Sequence, residues 1–379
     1  MKGVKNQMEL VKKTKIRHLN LHSDRRIIFM SDIHGDINLF KKALNDLNFS
    51  DMDYLFIIGD MIEKGDLGDN LKMLDYVMEL DKLDNVYLMA GNCDEVFRTL
   101  YSSIDKERFL FYALEKKKSV INDFAFKIGY ELSYDMNVLD FIELFIKENL
   151  IYYDFIDKLD DVIIINDKLV LVHGGILDIS NIPENSLDVL KYDRFLEKTD
   201  RQPKTMIVGH YPTRNYRTFE FNVNPIFDYE KNVIAIDGGN HVVKGGQINA
   251  VILDSINDMN FSFKAYDHYP KYVMKQDVYY DKPKNQFNIK FGKNEIIILD
   301  EDLDYYYVST LNDQKMWVHK SFVYYDSSKY YCYDGSNVFL SLRKGDEISV
   351  IITGQPYTLV KYNGSIGLIE TKYIYEDNI

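Results

Sequence analysis

Three polar segments between Met30 and Glu95 decide the fold of this chain. They are Ser31-Asp32-Ile33-His34-Gly35-Asp36, Gly59-Asp60-Met61-Ile62-Glu63-Lys64-Gly65 and Gly91-Asn92-Cys93-Asp94-Glu95. Each follows a short apolar run rich in β-branched or aromatic residues, at 27–30, 54–58 and 86–89. Such runs between turn residues predict buried strands. The polar segments therefore lie at the carboxyl ends of strands, where open α/β sheets build their sites.

Two helical patterns separate the three predicted strands. Apolar residues recur at helical spacing in 38–47 and again in 67–80. Strand, helix, strand, helix, strand in succession predicts a largely parallel sheet. The region 96–158 is rich in Phe, Tyr, Leu and Lys and lacks strand patterns, which predicts a helical insertion. We expect the insertion either to cover the loop tips as a cap or simply to complete the core.

Polar turns also follow the predicted strands of the second half. Apolar runs predict strands at 162–165, 169–172, 206–208, 233–236, 248–253 and 261–265. Three of these runs lead into His173-Gly174-Gly175, Gly209-His210-Tyr211-Pro212-Thr213 and Asp237-Gly238-Gly239. We expect this half to form a mostly β layer that faces the first sheet.

The residue types at the first loop tips point to a metal site. Asp32, His34, Asp60 and Asn92 would bring carboxylate, imidazole and amide groups together on adjacent loops. Oxygen and nitrogen ligands of this kind suit Mn, Fe or Zn.

Composition limits the classes of function. The 379 residues can form more than one domain. The net charge of −13 and a pI near 5.1 argue against a general nucleic-acid binder. Two cysteines, Cys93 and Cys332, exclude a disulfide framework and fit a reducing compartment. Residues 1–26 are predicted as a basic helix or arm, not a signal peptide. No membrane span is expected, and we predict a cytoplasmic protein.

A repeat dominates the C-terminal part of the chain. The segment 292–324 parallels 344–375, and each unit has the short strands and turns of a small β-barrel. The units resemble bacterial SH3-like domains, a likeness carried by Ile366-Gly367-Leu368 and by the duplication itself. We therefore expect three domains: 1–270, with its helical insertion at about 96–158, then 271–335, then 336–379.

Taken together, the loop motifs resemble those of the calcineurin-like metallophosphoesterases, and within them the phosphoprotein phosphatase branch. The matching motifs are Asp32-x-His34-Gly35, Gly59-Asp60-x-x-x-x-Gly65, Gly91-Asn92, His173-Gly174-Gly175, Gly209-His210-x-Pro212-Thr213 and Asp237-Gly238-Gly239. The resemblance covers about residues 25–265. It implies a four-layer α/β/β/α sandwich for this part, followed by the small all-β SH3-like barrels.

The resemblance also implies a dinuclear metal centre. Asp32 and His34 would bind one divalent ion, Asn92, His173 and His210 would bind the other, and Asp60 would bridge the two. We expect Mn²⁺, with Fe or Zn as alternatives. In such centres a hydroxide shared by the two ions attacks phosphorus in line, and the ions neutralise charge on the phosphoryl oxygens.

Three positions depart from the pattern of the family. Glu63 and Lys64 stand where Asp and Arg are usual, and Cys93 stands where a His helps to protonate the leaving alkoxide. Lys64 can contact a phosphate but lacks the bidentate fork of Arg. Arg194 could supply that fork, or could be an ordinary surface arginine. Our candidates are Cys93, Glu63 and Asp94 for catalysis, and Lys64, Asn92 and Arg194 for substrate binding.

Three functions from two classes remain open. The first is a phosphoprotein phosphatase acting on phosphoserine, phosphothreonine or phosphotyrosine. The second is a nucleotide or phosphodiester hydrolase, such as a diadenosine tetraphosphatase, which Cys93 and Lys64 favour. The third is a non-catalytic scaffold whose repeats bind partners. The SH3-like repeats would take a peptide or protein ligand.

Overall fold

The computed structural model describes residues 12–97, 106–217, 220–281, 286–290 and 292–375. The chain divides into two compact units. The first contains the residues up to Tyr211, Pro225–Val242 and Ile248–Tyr266, and the second contains Pro212–Asn224, Val243–Gln247 and Asp267–Ile379.

Strands and helices alternate through the first unit. Its strands are β1 (Ile16–Leu19), β2 (Ile27–Met30), β3 (Tyr54–Ile58), β4 (Val86–Met89), β5 (Val162–Ile165), β6 (Leu169–Val172), β7 (Thr205–Val208), β8 (Ile226–Asp228), β9 (Val233–Ala235), β10 (Ile248–Leu253) and β11 (Phe261–Tyr266). Its described helices are α1 (Ile37–Asp46), α2 (Asp69–Leu80), α3 (Lys106–Leu110), a π-helix (Phe111–Lys116), α4 (Val120–Ile128), α5 (Val138–Glu148), α6 (Leu150–Lys158), α7 (Ser186–Leu190) and α8 (Phe195–Lys198). The predicted β–α–β–α–β order is confirmed.

The strands of the first unit form two sheets. One has the order β11-β10-β2-β3-β4, with β2, β3 and β4 parallel and β10 antiparallel to its neighbours. The other has the order β1-β5-β6-β7-β9-β8 and mixes parallel with antiparallel pairs. The unit is thus a mixed α/β fold.

One apolar core joins the two sheets. Phe29 and Phe56 of the first sheet and Ile163, Leu171 and Ile207 of the second belong to the same buried cluster. Burial of a side chain of this size stabilises the fold by about 1.5–3 kcal/mol. The packed sheets hold their strand ends rigidly, and these ends carry the metal-site motifs.

The N-terminal prediction is wrong in part. Residues 1–11 lie outside the described part of the chain. Residues 16–19 form strand β1, which pairs in parallel with β5, in place of the predicted helix or arm. The alternation of Ile16-Arg17-His18-Leu19 is too weak to indicate a strand, and it is the exposed edge of β5 that orders this segment.

The described residues of the insertion are helical, and they contact the second polar loop. Ser119 caps α4 in a capping box with Asn122. Asp123 accepts hydrogen bonds from the amides of Gly68 and Asn70 at 2.8 Å each, at the start of α2. An aromatic cluster around Phe124 packs α4 against α5. The insertion therefore has buried aromatic residues of its own and contacts the segment that follows the second polar loop; whether it acts as a cap stays a prediction.

The described strands of the second unit form three antiparallel sheets. They are β12 (Lys271–Val273), β13 (Asn288–Ile289), β14 (Asn294–Glu301), β15 (Tyr305–Thr310), β16 (Lys315–His319), β17 (Val323–Asp326), β18 (Lys329–Cys332), β19 (Gly335–Ser336), β20 (Glu347–Ile352), β21 (Tyr357–Tyr362) and β22 (Ser365–Glu370), with 3₁₀ turns at Thr213–Tyr216, Lys320–Phe322 and Thr371–Tyr373. The sheet orders are β16-β15-β14-β18-β17, β12-β20-β21-β22 and β13-β19.

Pairing in the second unit crosses the predicted boundary at residue 335. Strand β12 pairs with β20, and Leu359, Ile366 and Leu368 share a core cluster with Val308 and Met316. The all-β character of this region agrees with the sequence. Its description as two SH3-like barrels, 271–335 and 336–379, stays a prediction. Within the described residues, every helix is too short or too polar to cross a membrane.

Candidate metal centre

The predicted ligands lie where strands of the first unit end, on backbone that is strained. Asp32, His34, Asp60 and His210 all adopt the left-handed conformation, with φ between 51° and 67°. Non-glycine residues in this region cost about 1–3 kcal/mol each and persist only where the surroundings determine them. Four such residues on neighbouring loops mark a functional site.

Close packing of the second and third polar loops requires glycine. A Cβ added to Gly59 would lie 2.5 Å from the Cα of Gly91. A Cβ added to Gly91 would overlap the backbone nitrogen of Asp60. With glycine at both positions, the amide of Cys93 donates to Asp60 Oδ1 at 2.7 Å. The loops that carry Asp60 and Asn92 therefore meet at the Asp60 carboxylate.

Two groups of potential ligands share Asp60. The first, which we call the thiol cluster, is His34, Asp60 and Cys93; the second, the carboxylate cluster, is Asp32, Asp60 and His173. In each, the donor atoms lie within 4.8 Å of one another. His34 Nε2 is 3.8 Å from Asp60 Oδ2, and His173 Nε2 is 3.2 Å from Asp60 Oδ1. One carboxylate thus reaches both clusters.

Asn92 and His210 extend the carboxylate cluster. Asn92 Oδ1 is 3.3 Å from His173 Nε2. The backbone amide of His210 donates to Asp32 Oδ2 at 3.0 Å, and its ring centroid is 5.4 Å from that of His173. The structure therefore brings all six predicted ligands into one region.

Backbone carbonyls fix the orientation of two histidine rings. His34 Nδ1 lies 3.3 Å from the carbonyl oxygen of Ile62, and His173 Nδ1 lies 2.8 Å from that of Ile58. A carbonyl can only accept, so each Nδ1 carries a proton. In the neutral rings each Nε2 is then a lone-pair donor, as a metal ligand must be. Asp36, two residues after His34, caps α1 by accepting from the amide of Leu39, and its Oδ2 accepts from the side-chain amide of Asn240.

Burial and mutual repulsion shift the pKa values of the carboxylates. Burial, opposed by His173 and reinforced by repulsion from Asp60, raises the pKa of Asp32 to about 6. Burial, followed by repulsion from Asp32, also raises the pKa of Asp237. At Asp60 burial is outweighed by His173, and the pKa falls well below its ordinary value. Three buried carboxyl groups therefore require positive charge beside them.

The three histidines respond differently to the same surroundings. Burial lowers the pKa of His173, but Asp60 and Asp32 outweigh it and raise the value to about 10. Burial, reinforced by Lys64, lowers the pKa of His34 to about 3. Burial, reinforced by His173, lowers that of His210 to about 4. Without a metal ion, a proton on His173 balances the carboxylates.

Asp94 accepts hydrogen bonds from three backbone amides. Its Oδ1 accepts from the amides of Met61 at 2.9 Å and Ile62 at 3.3 Å, and its Oδ2 accepts from Gly91 at 2.8 Å. Burial, followed by repulsion from Asp60, raises its pKa to about 8. Asp94 thus connects the loop of Asp60 to the loop of Asn92. Its predicted catalytic role stays a prediction.

Glu63 faces the helical insertion. Its Oε1 accepts from the hydroxyl of Ser119 at 3.0 Å and from the amide of Val120 at 2.8 Å, at the start of α4. Burial raises its pKa to about 7, although these hydrogen bonds oppose the rise. A part for Glu63 in proton transfer with Cys93 stays a prediction.

Lys64 and Cys93 lie at the thiol cluster. Lys64 Nζ is 3.2 Å from His34 Nε2, and its pKa is raised because Cys93, Asp60 and Asp32 outweigh the lowering effect of burial. Burial, followed by Asp60, raises the pKa of the Cys93 thiol well above its ordinary value. The amide nitrogen of Asn92 donates to the Cys93 sulfur at 3.5 Å. Lys64, Asn92 and Cys93 are thus beside the predicted ligands.

Arg194 points away from the predicted ligands. Its guanidinium pairs with Glu197 at 2.6 Å, and its side chain is 58% exposed. Its neighbour Asp193 instead binds His210, with 2.8 Å between Asp193 Oδ1 and His210 Nε2. Asp193 was missed from the sequence. Arg194 has a left-handed backbone, with φ of 60°, so the chain turns between these two residues and α8.

The donor set fits divalent cations. Asp32 Oδ1 is buried and has no hydrogen-bond partner among the described residues. It lies 3.9 Å from His34 Nε2, which is itself a lone-pair donor in the neutral ring. The Lys64 ammonium already faces His34 Nε2 at 3.2 Å, so Asp32 Oδ1 is the buried acceptor of this pair that a divalent ion would satisfy. Carboxylate, imidazole and amide ligands suit Mn, Fe or Zn.

Comparison with known proteins identifies the family. The calcineurin-like phosphoesterase family model matches residues 25–233, more than half of the chain. The chain belongs to this family and is a phosphoric ester hydrolase of the metallophosphoesterase class. The family uses a dinuclear metal centre, and the two clusters around Asp60 are candidate ligand groups for it.

Solved structures that resemble part of the chain have names that refer to different substrates. A putative diadenosine tetraphosphatase is 16% identical, with 66% of this chain and 98% of that chain covered and a TM-score of 0.39. A protein serine/threonine phosphatase from Saccharomyces cerevisiae, with similarity to human PP5, is 13% identical, with 68% and 85% covered and a TM-score of 0.41. A cold-active protein-tyrosine phosphatase of Shewanella is 16% identical, with 67% and 83% covered and a TM-score of 0.39. None of the curated proteins matches the chain. Similarity at this level leaves the substrate open.

Proposed function

We propose that this protein is a phosphoprotein phosphatase that hydrolyses phosphoserine or phosphothreonine, or phosphotyrosine, at a centre of two divalent ions. The observation that carries the hydrolase part is the shared carboxylate: Asp60 belongs to both candidate ligand clusters. The sequences of the motifs His173-Gly174-Gly175 and Gly209-His210-x-Pro212-Thr213 support a phosphoprotein as the substrate. A cytoplasmic location is part of the proposal.

Six residues would hold the ions. Asp32 and His34 would bind one, Asn92, His173 and His210 the other, and Asp60 both, with Mn²⁺ as the proposed metal and Fe or Zn as alternatives. Asp32 belongs to the carboxylate cluster, but its Oδ1 is also 3.9 Å from His34 Nε2, which supports its assignment to the ion of His34. When bound, the ions would supply a nucleophile at neutral pH and neutralise charge on the phosphoryl oxygens. The carbonyls of Ile58 and Ile62 hold His173 and His34 with Nε2 available as a ligand atom.

Other residues would bind and orient the phosphoryl group. Lys64 would donate from its ammonium to a phosphoryl oxygen as a point charge, and the Asn92 amide would donate beside it. Arg194 would have to leave Glu197 to take part. Asp94 would keep the loops of Asp60 and Asn92 in register, while Cys93, with Glu63 behind it, would be the candidate donor of a proton to the leaving group.

Hydrolysis of a nucleotide or phosphodiester, such as a diadenosine polyphosphate, is the second candidate. A thiol whose pKa is raised by burial is a poor acid for an alkoxide leaving group, whereas a phosphate leaving group needs no proton. Three exposed lysines, Lys116 to Lys118, also border the metal loop, because the amide of Lys64 donates to the carbonyl of Lys118 at 2.7 Å. Exposed cations there could bind further phosphates of such a substrate.

Side-by-side assays separate the candidates. Purified protein with Mn²⁺ is tested on a phosphothreonine peptide, bis-p-nitrophenyl phosphate and diadenosine tetraphosphate, with Asp60→Asn as the inactive variant. Asp84→Asn, the same change at an exposed carboxylate, is the matched control. We expect peptide hydrolysis that Asp60→Asn abolishes and Asp84→Asn retains.

Other outcomes redirect the proposal. Turnover of the diester or dinucleotide alone would replace it by the second candidate. No turnover together with an absence of bound metal would favour the scaffold, in which the repeats of the second unit bind a peptide or protein partner.

A further inference from the structure

Cys93 lies among metal ligands. Its sulfur, His34 and Asp60 offer donor atoms that all lie within 4.8 Å of one another. Ligand atoms at about 2.0–2.3 Å from one ion are separated by no more than about 4.6 Å. The three groups therefore need only small side-chain rotations to bind the same ion.

The surroundings of the sulfur suit a metal-bound thiolate. The amide of Cys93 donates to Asp60 Oδ1 at 2.7 Å, which ties residue 93 to the shared carboxylate. The side-chain amide of Asn92 donates to the sulfur at 3.5 Å, so the sulfur already acts as an acceptor. Independently, Asp32 Oδ1 is buried, has no hydrogen-bond partner among the residues that the structure describes, and lies 3.9 Å from His34 Nε2. A divalent ion bound there would take the place of the Lys64 ammonium, which is 3.2 Å from the same nitrogen.

We propose that Cys93 Sγ binds the same ion as His34 and Asp60. The thiol loses its proton to solvent as the metal–sulfur bond forms. This inference rests on the dinuclear centre of the proposed function but is independent of its substrate. A thiolate ligand selects softer metals, so the thiol cluster favours Zn, Fe or Co over Mn, whereas the carboxylate cluster has only oxygen and nitrogen ligands. A metal-bound sulfur cannot protonate a leaving group, so this inference replaces the proton-donor role of Cys93 and the choice of Mn²⁺ for this ion in the proposed function.

Cobalt spectroscopy tests the proposal without relying on activity. The full chain is freed of metal with a chelator, kept reduced and titrated with Co²⁺ while bound cobalt is counted. We expect a sulfur-to-cobalt charge-transfer absorption in the near ultraviolet that Cys93→Ser removes. Cys332→Ser is the matched control, since Cys332 is the other cysteine of the chain and its sulfur donates to the Asp334 carbonyl. That variant retains the absorption.

Competition between metals gives a second readout. Removal of the sulfur should lower the affinity for Zn²⁺ relative to Mn²⁺ by at least about tenfold, and Cys332→Ser should leave the ratio unchanged. Cys93→His covers the case in which Cys93→Ser does not fold. Its imidazole can still bind the ion but gives no sulfur band.

The outcomes separate this inference from the proposed function. Two bound cobalt ions and active enzyme without the absorption, or an absorption that persists in Cys93→Ser or Cys93→His, would overturn the role of Cys93 alone. Failure of the wild-type chain to bind cobalt would overturn the dinuclear centre and this inference together.

Discussion

In the thiol cluster, Asp60 meets a neutral imidazole and a sulfur, with the Lys64 ammonium 3.2 Å from His34. In the carboxylate cluster, the same Asp60 meets Asp32 and a histidine whose pKa is raised to about 10. The two halves of one candidate centre thus differ in charge and ligand softness. A cation that enters the carboxylate cluster at neutral pH must displace a proton from His173, whereas His34 has no such proton to lose.

Replacement of His34 or His173 should remove metal binding at its own cluster and leave the other cluster able to bind an ion. We expect His34→Gln and His173→Gln each to retain one ion and to lower kcat/KM at least about 100-fold, since both ions act on the same phosphoryl group. Metal analysis and steady-state kinetics measure both effects. His18→Gln, at an exposed position of β1, is the control. Full activity with a single bound ion would refute the cooperation of the two halves.

Replacement of Asp94 should weaken both ligand clusters, because Asp94 connects the loop of Asp60 to the loop of Asn92. Asp94→Ala leaves three buried amides without an acceptor, at about 1–3 kcal/mol each, offset in part by removal of a buried carboxyl. We expect a net loss of about 2–4 kcal/mol in the free energy of unfolding and an activity loss of about 10–100-fold, as for other groups that support metal ligands. Asp94→Asn keeps an acceptor for Met61 and should lose less. Denaturant unfolding that is equal in the two variants would argue against this role.

Glu63 gives the thiol side a pH dependence that comes from a residue outside both ligand clusters. Its folded pKa of about 7 exceeds its ordinary value of 4.5, so between these values the folded chain holds a proton that the unfolded chain has lost. Stability from this group is therefore complete below pH 4.5 and falls as the pH rises to 7. Glu63→Gln removes the fall.

Thermal unfolding of the chelator-treated protein at pH 5 and pH 8 measures this effect. From pH 5 to pH 8, the free energy of unfolding of Glu63→Gln should rise relative to that of wild type by at most about 3 kcal/mol. Exposed Glu79→Gln serves as the control and should gain nothing. An equal difference between Glu63→Gln and wild type at both pH values would contradict the raised pKa.

The smallest effect should come from the lysines that border the metal loop. If a polyphosphate is the substrate, joint replacement of Lys116, Lys117 and Lys118 by Gln should raise its KM about two- to fivefold, since exposed ion pairs contribute little. The KM for p-nitrophenyl phosphate should stay constant. Lys41→Gln with Lys42→Gln on exposed α1 positions is the control. An equal change in KM for both substrates would show that the lysines do not bind the additional phosphates of the polyphosphate.

The sequence predicted where the central strands end, but not the tertiary contacts that position the site residues at those ends. Apolar runs located β2, β3 and β4, and the glycine-flanked motifs located the six predicted ligands. The partners of Glu63 lie 56 residues away in the insertion, and Asp193 reaches His210 through the turn at Arg194. Contacts of this kind depend on tertiary packing, which no local pattern encodes. In the second unit, the pairing of β12 with β20 was likewise not predicted, because the two strands lie far apart in the sequence.

Metal stoichiometry tests the shared role of Asp60 most directly. Wild type, Asp60→Asn and Asp84→Asn are loaded with Mn²⁺, freed of loose metal by gel filtration and analysed for metal per chain and for phosphoester hydrolysis. The account predicts two ions and activity in wild type and in Asp84→Asn, and at most one ion without activity in Asp60→Asn. Two ions with full activity in Asp60→Asn would contradict it.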